Sequence, residues 1–264
     1  MKGLIIKDLM CLRKQRITFI FTVICTVILG SMFVLSVRYG NIHTMNQSDP
    51  DLTELDVKTL GTMALTMFML LPLAMAGDVA TVFSYDSKAG FSKVGSSLPV
   101  SMPKRVMAKY ATMFIMVGIG IVLDVVIAGV LSTLTDIIRF RDFFGIIMSM
   151  TAVMVVHASL TILYAVCFGD GQENAAMLVA IMTMGIGVMV VMFPKLKKLV
   201  QDMIEIGVSN GTDTPVSGSG LGGITQVMDF LKNRYYILLL IAAAVAVASY
   251  FGTVAIVKRK RGTI

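Results

Sequence analysis

The sequence predicts an all-α polytopic membrane protein, and three observations carry that reading. Of 264 residues, 56% are hydrophobic and 15% charged, where soluble domains average about 25% charged. The apolar residues gather in runs of about 20, the helix length that crosses a hydrocarbon core of about 30 Å. Lys and Arg collect at the ends of those runs, so the net charge of +7 reads as topology and not as nucleic-acid binding. The chain is expected to form one membrane domain over 1–264.

Six segments meet the length requirement: 17–37, 58–77, 108–134, 143–168, 175–193 and 235–257. They must be helices, because unpaired backbone groups are not tolerated in lipid. Ahead of them, 1–16 reads as an interfacial elbow helix. Ile5, Leu9 and Leu12 share one side and Lys7 and Lys14 lie opposite, a basic amphipathic pattern suited to an anionic leaflet. The first run is too long for a secretory h-region and no small-x-small cleavage site follows it, so it is expected to be a retained span. The link "GDGQEN" is so short that the fourth and fifth spans must form an antiparallel hairpin. Trp is absent, which leaves the interfacial aromatic positions to Tyr39, Tyr110, Tyr235 and Tyr236. Cys11, Cys25 and Cys167 show neither metal-ligand spacing nor a disulfide framework.

Orientation follows from the positive-inside bias. With the N-terminus cytoplasmic, the inside segments hold 14 of the 23 Lys and Arg. The opposite loops hold 9, together with 10 of the 16 acids. Both termini are therefore expected inside, although 194–234 places five basic residues outside. The polar stretch "SYDSKAGFSKVGSSLPVSMPKRVMAKY" then faces the cytoplasm, within a coupling region at 78–107. Gly90, Gly95 and the two prolines of "LPVSMP" break it into short helical pieces, with Lys104 opening the helix that enters the third span. On composition alone this stretch is either a docking element for a soluble partner or a solvated loop that sets topology.

These residues resemble the permeases of ABC type-2 exporters. The elements that match are the N-terminal "MKGLIIKDL", then Asp86, Gly90, Phe91, Leu98, Pro99, Val100, Ser101, Lys104, Lys109 and Tyr110. Met102 and Pro103 stand where the family pattern has a basic pair. Within that family the chain is similar to small permeases of Gram-positive bacteria that export amphipathic, phenol-soluble-modulin-like peptides. The resemblance implies a coupling helix in which Asp86, Lys88, Phe91, Lys93, Leu98 and Pro99 contact a separate ATP-binding subunit. It also implies a half-transporter that pairs with a second permease copy, most simply as a homodimer in a bacterial cytoplasmic membrane. The cargo would be an amphipathic or hydrophobic substrate, such as a cytolytic or antimicrobial peptide.

The chain lacks G-x-x-x-x-G-K-[ST], the loop that cradles nucleotide phosphates, so it is expected not to be an enzyme. ATP and Mg would bind to the partner, and this chain would carry no cofactor, no metal and no catalytic residues. Gly218, Gly220 and Gly223 fit G-x-G-x-x-G, and 207–211 fits G-x-S-x-G. Both lie in Ser/Gly/Thr-rich linker without the strand each chemistry needs.

Asp124 and His157 are polar residues inside the third and fourth spans, where an ionised Asp costs about 2.5–3.5 kcal/mol. Their depths allow a contact, which is either a buried interhelical hydrogen bond or part of a transport path. The second reading favours a proton-coupled secondary transporter. A membrane protein with no transport role, such as an immunity or sensor protein, is the third alternative. The 22 methionines include Met63, Met67, Met69, Met75, Met113, Met116, Met148, Met150, Met154, Met182, Met184 and Met189. They read as apolar filler or as the lining of an adaptable cavity. The loop at 194–234 carries two stretches with helical apolar spacing, and is expected to be an extracytoplasmic amphipathic element.

Overall fold

The computed structural model describes residues 2–12, 16–39, 82, 86, 100–135, 139–169, 172, 174–187 and 233–262. These form helices α1 (Lys2–Leu12), α2 (Arg16–Tyr39), α3 (Met102–Thr135), α4 (Phe140–Phe168), α5 (Asn174–Gly187) and α6 (Tyr235–Gly262), with no strand among the described residues. Stretches of α3, α4 and α6 at Pro103–Leu134, Phe140–Phe168 and Tyr235–Arg259 are long and apolar enough to cross a membrane. Ile20–Leu35 and Asn174–Gly187 are shorter apolar helices. The expected spans 17–37, 108–134, 143–168 and 235–257 fall on α2, α3, α4 and α6, and α5 covers most of 175–193. The expected span 58–77, and the loop 194–234 but for its last two residues, lie outside the described residues.

The third span opens at Met102, earlier than the Lys104 expected from sequence. The Ser101 carbonyl accepts the Lys104 and Arg105 amides at 3.1 and 3.3 Å. Pro103 is tolerated because its missing amide falls in the first turn, where it would have no helical partner.

Helix α4 is the centre of the described structure. In its most apolar stretch 72% of residues are buried, against 28% in α3 and in α6. It packs most extensively on α6, through the stripe Ala242, Ala246, Ser249 and Thr253, all buried. In lipid no hydrophobic force draws helices together, so close backbone approach past small side chains supplies the packing. Gly252 marks that closeness: a Cβ there would sit 3.3 Å from Leu163 Cδ1.

Contacts give the helix directions. Phe144 meets Tyr235 edge-on at one end of α4 and α6, and Ser249 bonds Ser159 towards the other, so the two helices run parallel. Tyr110, near the start of α3, bonds Ser249, while Ala128 and Leu131 pack with Phe143 and Ile147. Helix α3 is therefore antiparallel to both. Phe33 joins that second cluster, which aligns α2 with α3. The start of α3 and the C-terminal end of α6 consequently share one end of the structure, and α1 packs against α3 there. Tyr164 Oη lies 3.0 Å from Thr183 Oγ1, as the expected α4–α5 hairpin requires. Gly169 closes α4 at φ 89°, a conformation that favours glycine.

One expectation needs correction. Tyr110 is 3% exposed and belongs to the core, not to an interfacial belt, because its hydroxyl finds partners on α6. Tyr235 and Tyr236 do lie at a helix end, with Tyr236 exposed. Of the methionines, Met63, Met67, Met69, Met75 and Met189 lie outside the described residues. Met113, Met150 and Met154 are buried filler, and Met182 is exposed.

Replacing Gly252 with Leu is expected to force α4 and α6 apart at a cost of about 1–3 kcal/mol. Gly118→Ala, where nothing lies within 4 Å of a new Cβ, is expected to be neutral. Thermal unfolding of the two variants in detergent compares them directly.

Candidate functional site: a four-charge cluster at the start of α3

Three separate parts of the chain meet at the first turns of α3. Helix α1 brings Lys7 and Asp8, the region before α3 brings Asp86, and α3 brings Lys109. Lys7 Nζ lies 2.8 Å from Asp8 Oδ1 and 2.5 Å from Asp86 Oδ1. Lys109 Nζ lies 3.2 Å from Asp8 Oδ1 and also pairs with Asp86 Oδ2. Each lysine faces both acids and each acid faces both lysines, so the four charges form a closed alternating ring.

An apolar residue one turn away backs three of the four. Asp8 is followed by Leu12, Asp86 is preceded by helical Val82, and Lys109 is followed by Met113. Leu12, Val82 and Met113 are all buried, and they line a small cleft together with Lys109 and Thr112. Residues four apart share a helical face, so one face of each element presents a charge and, a turn away, an anchor. Asp8 is only 1% exposed. A carboxylate taken that far out of water is tolerated only with cations and hydrogen bonds around it. Burial pulls the Lys7 pKa down, but the hydrogen bonds and charges of Asp8 and Asp86 outweigh it and leave it above the ordinary 10.5.

This arrangement changes the reading of several residues. Asp86, expected among the docking contacts, is 15% exposed and held by two lysines. Lys7 does not lie on a solvent side opposite the apolar stripe of α1. Its ammonium turns to the two acids, and apolar Ile6 and Met10 are left exposed instead. Asp8 escaped the sequence reading altogether. Its signal was its place between Ile5, Leu9 and Leu12, because an acid on the apolar side of a helix demands a partner. Lys88, Phe91, Lys93, Leu98, Pro99 and Lys14 lie outside the described residues.

Directly after Lys109, Tyr110 points the other way, into the core. Ser249 Oγ donates to the Ser159 carbonyl at 2.6 Å and Tyr110 Oη lies 2.7 Å from Ser249 Oγ, so the tyrosine is the donor of that pair. Thr253 Oγ1 donates to the Ser249 carbonyl at 2.8 Å. Two adjacent residues of α3 thus grip the charge ring on one side and α4 with α6 on the other.

Asp124 and His157 are both buried, but they do not bond each other. Both Asp124 carboxylate oxygens and His157 Nδ1 lack a hydrogen-bond partner among the described residues. The reason is depth. Helix α3 runs on to Thr135 and α4 begins at Phe140, so the two residues sit about six positions, or about 9 Å, apart along the helices at 1.5 Å per residue.

Lys109→Met leaves the buried Asp8 carboxylate short of one cation. It is expected to destabilise the protein by about 3 kcal/mol, the lower end for breaking a buried ion pair, as read by thermal unfolding in detergent. The ring also has an alkaline limit. Because Lys7 has a folded pKa above its unfolded one, the stability it contributes is complete below about pH 10.5 and is lost as pH rises through the raised value. A Lys7→Met variant is expected to lose that alkaline step.

A family model described as ABC-2 family transporter protein matches residues 57–258. Neither the curated proteins nor the solved structures compared with this chain yield a match. The matched region takes in Asp86, Lys109, Tyr110 and nearly all of the three long apolar helices found among the described residues, and it spans most of the sequence. This multi-pass membrane protein belongs to the ABC-2 family of transporter proteins.

Proposed function

We propose that this chain is the membrane subunit of an ABC exporter, worked by a separate ATP-binding subunit that docks on the region around 87–98. Family membership supports a transport role and, in general, an ATPase partner. The observation that carries the mechanism is the charge ring, which joins Asp86, at the head of the expected docking region, to α1 and to Lys109. A push on the docking region displaces Asp86. The two lysines pass that displacement to α1 and α3, and Tyr110 passes it to α4 and α6 through Ser249 and Ser159. Asp86 is then a transmission residue, while Lys88, Phe91, Lys93, Leu98 and Pro99 supply the docking contact.

In this reading the chain has six spans with both termini in the cytoplasm. It works as a homodimer in a bacterial cytoplasmic membrane, and ATP and Mg bind only to the partner. The elbow at 1–16 lies on the inner leaflet, and 194–234 lies outside. The cargo is an amphipathic or hydrophobic molecule, with membrane-active peptides the class that the sequence resemblance favours. A proton-coupled carrier built on an Asp124–His157 pair finds no support in the separation of those residues.

Deleting 87–98 while keeping Asp86 is expected to abolish co-purification of the ATP-binding subunit and leave the membrane domain inserted. Undiminished co-purification would overturn the docking assignment. Tyr110→Phe separates docking from transmission: the ATPase stays bound, and peptide-stimulated hydrolysis falls several-fold. Equal loss of binding and stimulation would refute that division.

A further inference from the structure

An apolar groove of about 560 Å³ runs between α3 and α6, within the range of about 300–1,000 Å³ typical of small-molecule sites. Its walls include Met107, Tyr110 and Phe114 from α3 and Ala243, Val247 and Phe251 from α6. Almost none of its lining is polar, and Phe114, Val247 and Phe251 are at least half exposed, so it opens sideways to the bilayer. Two lysines lie beyond one end. At about 100° per residue, Lys258 lies within about 20° of Phe251 and two turns further along α6. Lys104 sits one turn before Met107 on α3. The Tyr110–Ser249 bond sets the antiparallel register and brings both lysines beyond the same end of the groove, within about three residues, or about 4.5 Å, of one another along the helices. Both are exposed, and neither side chain has an ion-pair partner among the described residues.

We infer that this groove binds an anionic phospholipid of the leaflet next to the charge ring, with an acyl chain along Phe114 and Phe251 and the headgroup phosphate between Lys104 and Lys258. Charge complementarity selects this occupant. An uncharged molecule would make no use of the two ammonium groups, whereas long lysine stems reach the headgroup level while their methylenes stay on apolar surface. A helix of a second copy would bury Lys104 and Lys258 against each other's charge. The inference rests on the proposed orientation only in naming the leaflet as the cytoplasmic one, where anionic lipid attracts basic side chains.

The test is lipid retention by the full chain in detergent micelles containing equal phosphatidylglycerol and phosphatidylcholine, read by native mass spectrometry. Retention of phosphatidylglycerol over phosphatidylcholine is expected, with a several-fold loss of that preference in K104Q/K258Q. Ala243→Phe, which fills the groove from an exposed position, is expected to lower retention of both lipids and leave the unfolding midpoint unchanged. Equal retention of the two lipids by the unaltered chain, or a preference that survives K104Q/K258Q, would overturn the assignment. Labelling of a cysteine placed at 258 from each side of sealed vesicles reads orientation on its own. Failure of the orientation is thereby separated from failure of the lipid site.

Discussion

The arrangement around the start of α3 depends on neutralising two carboxylates with two lysines where water is nearly excluded. Asp8 is the demanding member, since an acid 1% exposed is stable only with cations at hydrogen-bond distance. Lys7 comes with it on α1, but Lys109 and Asp86 come from distant positions, so satisfying Asp8 fixes where three elements meet. The apolar residues beneath the ring, Leu12, Val82 and Met113, reinforce the junction without setting its register. Apolar contacts tolerate sliding, whereas a closed ring of four alternating charges does not.

Deeper along α3 the same problem is solved with neutral groups. Tyr110, Ser249, Ser159 and Thr253 form a buried hydrogen-bonded set across three helices, and each hydroxyl in it has a partner. Other buried threonines close onto their own helices: Thr112, Thr151 and Thr161 donate to carbonyls four residues back. The small residues of α6 keep the helices near enough for this set to exist. Packing and hydrogen bonding are therefore one device here. Asp124 departs from this pattern, a 0% exposed carboxylate that the described residues do not satisfy.

The groove between α3 and α6 follows from the same geometry. Tyr110 turns its hydroxyl towards Ser249 and its ring edge-on to Tyr250 at 5.7 Å, and it forms part of the groove wall. Ala243, next to the buried Ala242, is too small to close the gap. The small side chains that draw α6 onto α4 thus also open the space beside α3.

Much of the architecture was legible in the sequence because the membrane imposes it. Apolar length fixes which segments become helices, and a six-residue link forces α4 and α5 into a hairpin, whatever the rest of the chain does. The importance of Asp86, Lys109 and Tyr110 was legible too, through the motif they share. Their roles were not. Whether a lysine faces solvent or an acid 79 residues away, and whether a tyrosine belts the interface or anchors the core, depends on which helices become neighbours. Helical periodicity places a residue on a face but does not say what that face meets. Asp8 shows the division most clearly: the sequence put an acid on an apolar stripe, and only the meeting of α1, Asp86 and α3 supplied the cations that let it stay there.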